Sequence, residues 1–564
     1  MDPRWLRYGT LVLLALALWA FTYRLGATPL LNHPNEAEYA EVAREMVESG
    51  HWISPRLNYV LFLNKPPLTY WLIGMCDLAF GINEFSARLP CALAGGLVVL
   101  MLVYIGRQLY DAQTALLAGF ILLVSTGFFF ETHEVRPDLI LTAGIVGSIA
   151  AFVRLRQVAP AQMRWPLLAL QAALAVAVLA KGLIGIVIPG LVFAMVISLE
   201  RRFDLFRVFL RPRAWWLFVL LAAPWHVLVS LKHSGFLWDY FINQHLLFFF
   251  NRKLPQDSVP VSLPVFWGSF GLRLFPWTIF APLAVVAAVR RMRSHADRVG
   301  DRLVLAWAAV VLLFFSTVSS RMEHYSIPVL PAFALVVAKL FRDYARGEAS
   351  ALPKVTSAHV VAFAAVALLG FLIIPWLIGG NTWLAPMGDL SNLARLTFGI
   401  LAAGALLAAV AAVTGRRGWV VPALVTSVVS AIPLFHRGLT LVSRVDSSAG
   451  MAVAISALAD PEEMVVYEAP TKYQTCAGLN FYMRRKLTLV RPAGFIPPTY
   501  LTPHVDELFI TRKQLEQLWR EQRVFLITDL LVPRARLDGT TPEPFYIVAR
   551  LRDWWVVTNR PLHY

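Results

Sequence analysis

Several short segments of this chain carry side chains able to move protons or hold a phosphate. The run Asn35-Glu36-Ala37-Glu38-Tyr39-Ala40-Glu41 opens a helix predicted to reach about Glu48. Asn35 reads as its N-cap and Glu38, three residues on, as the capping-box partner. Capping accounts less well for Glu36, a carboxylate able to accept a proton from an incoming hydroxyl. In Leu63-Asn64-Lys65-Pro66-Pro67 the proline pair stops any preceding helix and can start the next, so Lys65 sits at a constrained turn. The plainer reading of Lys65 is an interfacial lysine with its stem on apolar surface; the chemical one is a point-charge phosphate ligand. Arg136-Pro137-Asp138 puts an acid at the start of an apolar run, where ionisable groups are costly and mark either a paired structural charge or a functional one. Lys181, between two short apolar segments, is a similar lone cation. Asn243-Gln244-His245 through Arg252, and Arg321 through His324-Tyr325, add donors, two histidines and two more cations.

The elements that must position these groups are membrane spans. Of 564 residues 58% are hydrophobic and 15% charged, against roughly 25% charged in soluble domains, and the mean hydropathy is +0.60. About thirteen apolar segments are long enough to span, near 8–25, 86–106, 113–130, 138–153, 166–181, 182–199, 214–231, 264–289, 303–318, 326–341, 358–378, 396–414 and 418–436. With the N-terminus on the cytoplasmic side, every alternate short loop is basic (Arg154/Arg156/Arg164, Arg201 to Arg213, Arg290 to Arg302, Lys339 to Lys354, Arg416/Arg417), as the positive-inside rule demands. The net charge of +16 is absorbed in this way, and no nucleic-acid partner is expected. Residues 1–436 thus read as a transmembrane domain whose first external loop, 28–85, is long. Lys65, Arg136, Lys181, Arg252 and Arg321 fall on the outer side, where that rule gives no reason for them. Their cluster suits an anionic lipid headgroup such as a phosphate.

Residues 437–564 change character. Met464–Tyr467, Leu487–Val490, Val524–Thr528 and Phe545–Val548 read as strands, and Met451–Leu458 and Lys513–Gln522 as helices. A small extracytoplasmic α/β domain with a partly parallel sheet is expected, as a cover or an acceptor-docking surface. Three scattered cysteines, Cys76, Cys91 and Cys476, supply neither a disulfide framework nor a zinc site.

The run NEAEYAEVAREMVESGHWISPRLNYVLFLNKPPLTYWL resembles the first external loop of the aminoarabinose transferases within the protein O-mannosyltransferase-like superfamily of GT-C fold. The likeness continues at RPDLILTA, LAKGLIGIVIPG, LFPWTIFAPL and SSRMEHYSIPVLPA, over about the first 340 residues. It implies transfer of a sugar from a polyprenyl-phosphate carrier, with inversion, to a lipid A, glycan, lipid or protein acceptor on the outer face of a bacterial inner membrane. The family pattern begins Asp-Glu-x-Arg-Tyr-Ala-Glu, with the first Asp as catalytic carboxylate; this chain has Asn35 there and Glu38 in place of the Arg. An amide cannot serve as a base, so that role does not carry over to Asn35. The family's Glu-Lys-Pro is Asn64-Lys65-Pro66, which keeps the phosphate-binding lysine and loses an acid associated, with the histidine matching His245, with a metal. A divalent metal is therefore compatible with the sequence and not required by it. Arg321 replaces the family's outer lysine four residues before Tyr325, keeping charge but not shape.

The expected site is thus Glu36 or Asp138 as proton acceptor, with Lys65, Arg136, Lys181, His245, Arg252, Arg321 and Tyr325 binding substrate. Two other classes stay open. A flippase or transporter would place ionisable residues at mid-membrane, whereas these collect at span ends. A degenerate relative that binds lipid-linked sugar without turnover is suggested by Asn35 and Asn64.

Overall fold

The computed structural model describes residues 3–32, 35–256, 259–293, 298–379, 389–468, 472–491, 494–529, 545–551 and 554–561. Among these, eight helices are long and apolar enough to cross a membrane. A ninth crossing is counted if the pair Leu263–Leu274 and Thr278–Arg293, bent by 108°, is one span. The segment near 264–289, expected as a straight span, is therefore broken. The break falls at Phe275-Pro276-Trp277, where proline offers no amide to continue the helix. The four remaining expected spans are shorter apolar helices: Arg7–Thr22, Ala112–Leu123, Ile184–Glu200 and Trp216–Lys232. The chain is a multi-pass helical membrane protein with a small mixed-sheet domain at its C-terminal end.

Two compact units divide the chain. The first comprises Met1–Leu25, Arg88–Pro224 and Pro260–Leu439 and holds most of the long apolar helices. Glycine permits a close helix crossing in this unit. A Cβ on Gly144 of the Pro137–Leu155 helix would lie 2.7 Å from the Ala177 nitrogen of the Arg164–Lys181 helix. On the next helix, a Cβ on Gly185 would lie 2.4 Å from the Ala177 carbonyl carbon. Without side chains at these two positions the three helices pack backbone to backbone. Two basic residues read as loop charges, Arg291 and Lys339, instead lie in helices and are buried. Arg291 donates to Asp301 at 2.9 Å and Asp343 at 3.2 Å, and Lys339 to Asp343 at 2.8 Å.

The second unit comprises Gly26–Ala87, Trp225–Val259 and Thr440–Tyr564. It contains the Glu36–Ser49 helix, a tight hairpin pairing Arg56–Leu57 with Val60–Leu61, the Leu68–Phe80 helix and a π-helix at Trp238–Leu247. Asn58 and Tyr59 at the hairpin tip have φ of 54° and 62°, the two left-handed residues of a type I′ turn. The Asn58 side chain accepts from the Leu487 amide at 2.8 Å and from Asn480 Nδ2 at 2.6 Å, and donates to the Leu487 carbonyl at 2.9 Å.

The C-terminal sheet has six strands in the order Phe509–Ile510, Thr488–Val490, Met464–Glu468, Val524–Thr528, Trp554–Thr558, Tyr546–Leu551. Neighbours among the first four pair in parallel, and Trp554–Thr558 pairs antiparallel with both Val524–Thr528 and Tyr546–Leu551. Alternation points Val466, Val490, Leu526 and Val557 toward Leu515 and Trp519 of the Arg512–Glu521 helix. That helix starts with a Thr511–Gln514 capping box. All four expected strands are present. The strands at Phe509–Ile510 and Trp554–Thr558 are additional.

Candidate functional site

In the first unit, Pro137 at the first helical turn and the glycine-mediated crossing bring two helix ends together. Asp138 lies in the first turn of Pro137–Leu155, where a negative charge suits the helix dipole. Lys181 ends Arg164–Lys181, where a positive charge does. Lys181 Nζ meets Asp138 Oδ1 at 2.5 Å, and both side chains are nearly buried. His324 Nε2 stands 3.8 Å from Asp138 Oδ2. The lysine also lies 4.5 Å from the Tyr325 ring centroid, a cation–π contact. Arg136 donates to Glu134 at 2.7 Å and to Glu131 at 3.3 Å, and Arg273 donates to Glu131 at 3.0 Å. Four expected site residues, Arg136, Asp138, Lys181 and Tyr325, are thus drawn into one neighbourhood of three acids, three cations and a histidine. Glu131 and Arg273 belong to the same network. Arg273 could have been found as the one charge in the apolar run around FGLRLF.

Arg321, in the same unit, directs its guanidinium to the carbonyls of Val261 at 3.3 Å and Ser316 at 3.1 Å. Those bonds make it a strut for its own loop.

In the second unit, Lys65 is half-buried ahead of the Leu68–Phe80 helix. Its neighbour Asn64 accepts at Oδ1 from Gln244 Nε2 at 3.3 Å and from the Tyr500 hydroxyl at 3.4 Å. The same tyrosine oxygen accepts from the Leu63 amide at 3.1 Å. His245 Nδ1 donates to the Tyr240 carbonyl at 2.5 Å, which fixes the tautomer with Nε2 as acceptor. Burial, with the nearby Lys65 charge adding to it, lowers the His245 pKa to about 4, so the ring is neutral at neutral pH. Arg252 is exposed, with its backbone amide on the Leu247 carbonyl at 2.8 Å. Tyr500 and Tyr240 were not legible as site residues, since neither falls in a motif.

Glu36 is fully buried, and its Oε2 accepts from the Leu31 amide at 2.8 Å. The expected capping box does not form: Asn35 has φ of 80° and its side chain caps nothing. Glu36 takes over by closing the turn that precedes its own helix. Deeper in that helix Arg44 clamps Glu41 through two bonds of 2.7 and 2.6 Å, and Glu45 accepts from the Tyr59 amide at 2.8 Å. Burial pushes the Glu41 and Glu45 carboxyls above their ordinary range despite the arginine. The described residues contain no group of three or more His, Cys, Asp or Glu side chains placed to hold a metal ion. With Asn64 an amide already engaged by Gln244 and Tyr500, the residues beside His245 do not fit one.

Known proteins resemble the chain in sequence and in fold. The dolichyl-phosphate-mannose-protein mannosyltransferase family matches residues 8–239. The ArnT protein of Cupriavidus metallidurans, solved bound to undecaprenyl phosphate, superposes with a TM-score of 0.83 at 24% identity over 98% of each chain. The chain therefore has the GT-C fold with a small C-terminal α/β domain.

At the level of sequence the chain is similar to aminoarabinose transferases. The undecaprenyl phosphate-alpha-4-amino-4-deoxy-L-arabinose arabinosyl transferase of Pectobacterium carotovorum is 28% identical over 377 residues, 64% of this chain and 65% of that one. The enzyme of the same name from Aeromonas salmonicida is 29% identical over 315 residues, 54% of this chain and 55% of that one. These matches span less than two thirds of the relatives' own length.

Proposed function

We propose that the chain is an inverting glycosyltransferase, moving a sugar from a polyprenyl-phosphate donor to a lipid A, glycan, lipid or protein acceptor on the outer face of a bacterial inner membrane. In this reading the N-terminus is cytoplasmic and the C-terminal domain periplasmic. The supporting observation is the buried Asp138–Lys181 pair, flanked by Arg136, His324 and Tyr325 at the ends of apolar helices. The relatives' names, which specify an undecaprenyl-phosphate-linked sugar, point the same way.

One displacement suffices. The acceptor oxygen forms a bond to the anomeric carbon as the bond from that carbon to the carrier's phosphate oxygen breaks, and configuration inverts. The acceptor's proton passes to Asp138, and the polyprenyl phosphate departs as an anion. That leaving group needs charge stabilisation more than protonation, and Lys181 and Arg136 supply it. Lys65, in the second unit, keeps its own reading as a point charge for a phosphate. Glu36, the other acid expected as base, accepts from the Leu31 amide at 2.8 Å and belongs to the second unit, whereas the cations gathered around Asp138 belong to the first. Asp138→Asn should lower turnover of a polyprenyl-phosphate sugar by purified protein by about 10²–10⁴-fold, with donor binding retained. Unchanged turnover sinks the assignment.

A second reading, a sugar-carrier binding protein without turnover, draws on Asn35 and Asn64, both amides where the family has acids. Donor binding with no product from the wild-type chain would favour it.

A further inference from the structure

We propose that the first unit carries a binding site for an anionic phospholipid, on the membrane face where the arginines of 201–213 lie. A cavity of about 140 Å³ lies among the Arg164–Lys181 helix, the Ile184–Glu200 helix and the short helix Phe203–Phe209, lined by Leu174, Gly190, Phe193, Phe206, Phe209 and Trp215 among others. Every lining side chain is apolar or aromatic. Gly190 faces this space, since a Cβ there would meet nothing within 4 Å. Its walls are braced. Phe152 stacks on Phe193 at 4.3 Å, Phe193 faces Phe209 at 6.1 Å and 13°, and Trp215 Nε1 donates to the Phe209 carbonyl at 2.7 Å. An unfilled apolar void is destabilising. In a bilayer the filler at hand is an acyl chain.

The rim adds the headgroup chemistry. Phe203–Phe209 is too short to span and buries Leu205, while Phe203 and Phe206 are exposed at 59% and 48%. That pattern suits a segment lying in the interface. Arg201, Arg202, Arg207, Arg211 and Arg213 around it are all exposed. Arg202 is paired with Asp204 at 2.8 Å, but Arg207, Arg211 and Arg213 have no carboxylate partner among the described residues. Topology alone would ask for positive charge here. It would not ask for a braced apolar slot and outward-facing phenylalanines beside that charge. One acyl chain in the slot with a phosphodiester on the arginines satisfies all three features.

The test is native mass spectrometry of the full-length chain titrated with phosphatidylglycerol, with phosphatidylcholine of the same acyl chains, and with glycerol 3-phosphate. Phosphatidylglycerol should be retained at least tenfold more tightly than phosphatidylcholine, and glycerol 3-phosphate should not compete. Removing one of Arg207, Arg211 or Arg213 (each to Gln) should weaken retention about fivefold, the equivalent of about 1 kcal/mol per basic residue. Gly190→Phe, which fills the slot and leaves every arginine in place, should weaken it about tenfold; Ala194→Leu on the same wall guards against a misfolded variant. Equal retention of the two lipids overturns the site. So does competition by glycerol 3-phosphate, or full retention in both slot variants, since either reduces the effect to surface charge.

Discussion

Replacing Lys181 with methionine separates two roles that the Asp138–Lys181 pair could have. The contact is 2.5 Å long between side chains only 4% and 11% exposed, so removing the lysine strands a buried carboxylate. Breaking one side of such a pair costs about 3–5 kcal/mol, and the lost cation–π contact with Tyr325 adds about 0.5–2 kcal/mol. Asp138→Asn/Lys181→Met removes both charges and should recover most of the first term. The coupling energy in the four-protein cycle should therefore exceed about 2 kcal/mol, far above the roughly 0.3–0.5 kcal/mol scatter of independent sites. Denaturant unfolding of the purified, detergent-solubilised proteins gives the stabilities, and sugar transfer from a polyprenyl-phosphate donor gives the activities. A stable double mutant with no turnover separates chemistry from scaffolding. Additive stabilities would refute the pairing, and a double mutant with wild-type turnover would show the pair to be structural.

Three further perturbations test other parts of the structure. Asn58→Ala removes three buried hydrogen bonds and a residue suited to its left-handed turn; at about 1–3 kcal/mol for each buried group left unsatisfied, amide exchange around Leu487 should accelerate by at least tenfold. Burial and Lys65 hold His245 near pKa 4, below its ordinary 6.5. The folded ring resists the proton that the unfolded chain accepts, so its contribution to stability is full above about pH 6.5 and is lost as pH falls toward 4. His245→Gln should flatten that part of the stability–pH curve; an unchanged slope would show the ring to be unperturbed. Gly144→Val pushes a side chain into the Ala177 backbone and should cost about 1–3 kcal/mol of overpacking, read as a lower melting temperature together with reduced transfer, because the same crossing aligns Asp138 with Lys181.

Much of the architecture was legible because hydropathy and alternation are collective signals. The apolar runs became helices, and Met464–Tyr467 and Val524–Thr528 became central strands because their runs are long and β-branched. What escaped depends on single residues. The sharp bend at Phe275-Pro276-Trp277 lies inside a run whose one charge is Arg273, so averaged hydropathy passes straight through it. Asn35 has the composition of a cap, but its backbone is left-handed and its side chain caps nothing, while Glu36 is used on the Leu31 amide upstream of the helix. The charge of Arg321 could be read, whereas its use on two carbonyls depends on loop geometry. Asp138, Lys181 and Tyr325 were each singled out, yet that they meet follows from glycine at 144 and 185. Nothing in the charged motifs points to those positions.

The hairpin tip at Asn58 sets a schedule for biogenesis. Its bonding partner Asn480 lies 422 residues further along the chain. At synthesis rates of about 5–20 residues per second, that separation corresponds to roughly 20–85 seconds between emergence of the hairpin and arrival of the groups that satisfy it. During that interval the buried amide has no native partner at Asn480 or Leu487, while most of the apolar helices are still being made. The second unit can therefore close only after the membrane-embedded helices between its pieces have been synthesised. A nascent chain stalled short of residue 480 should present the 26–87 segment as a protease-sensitive target.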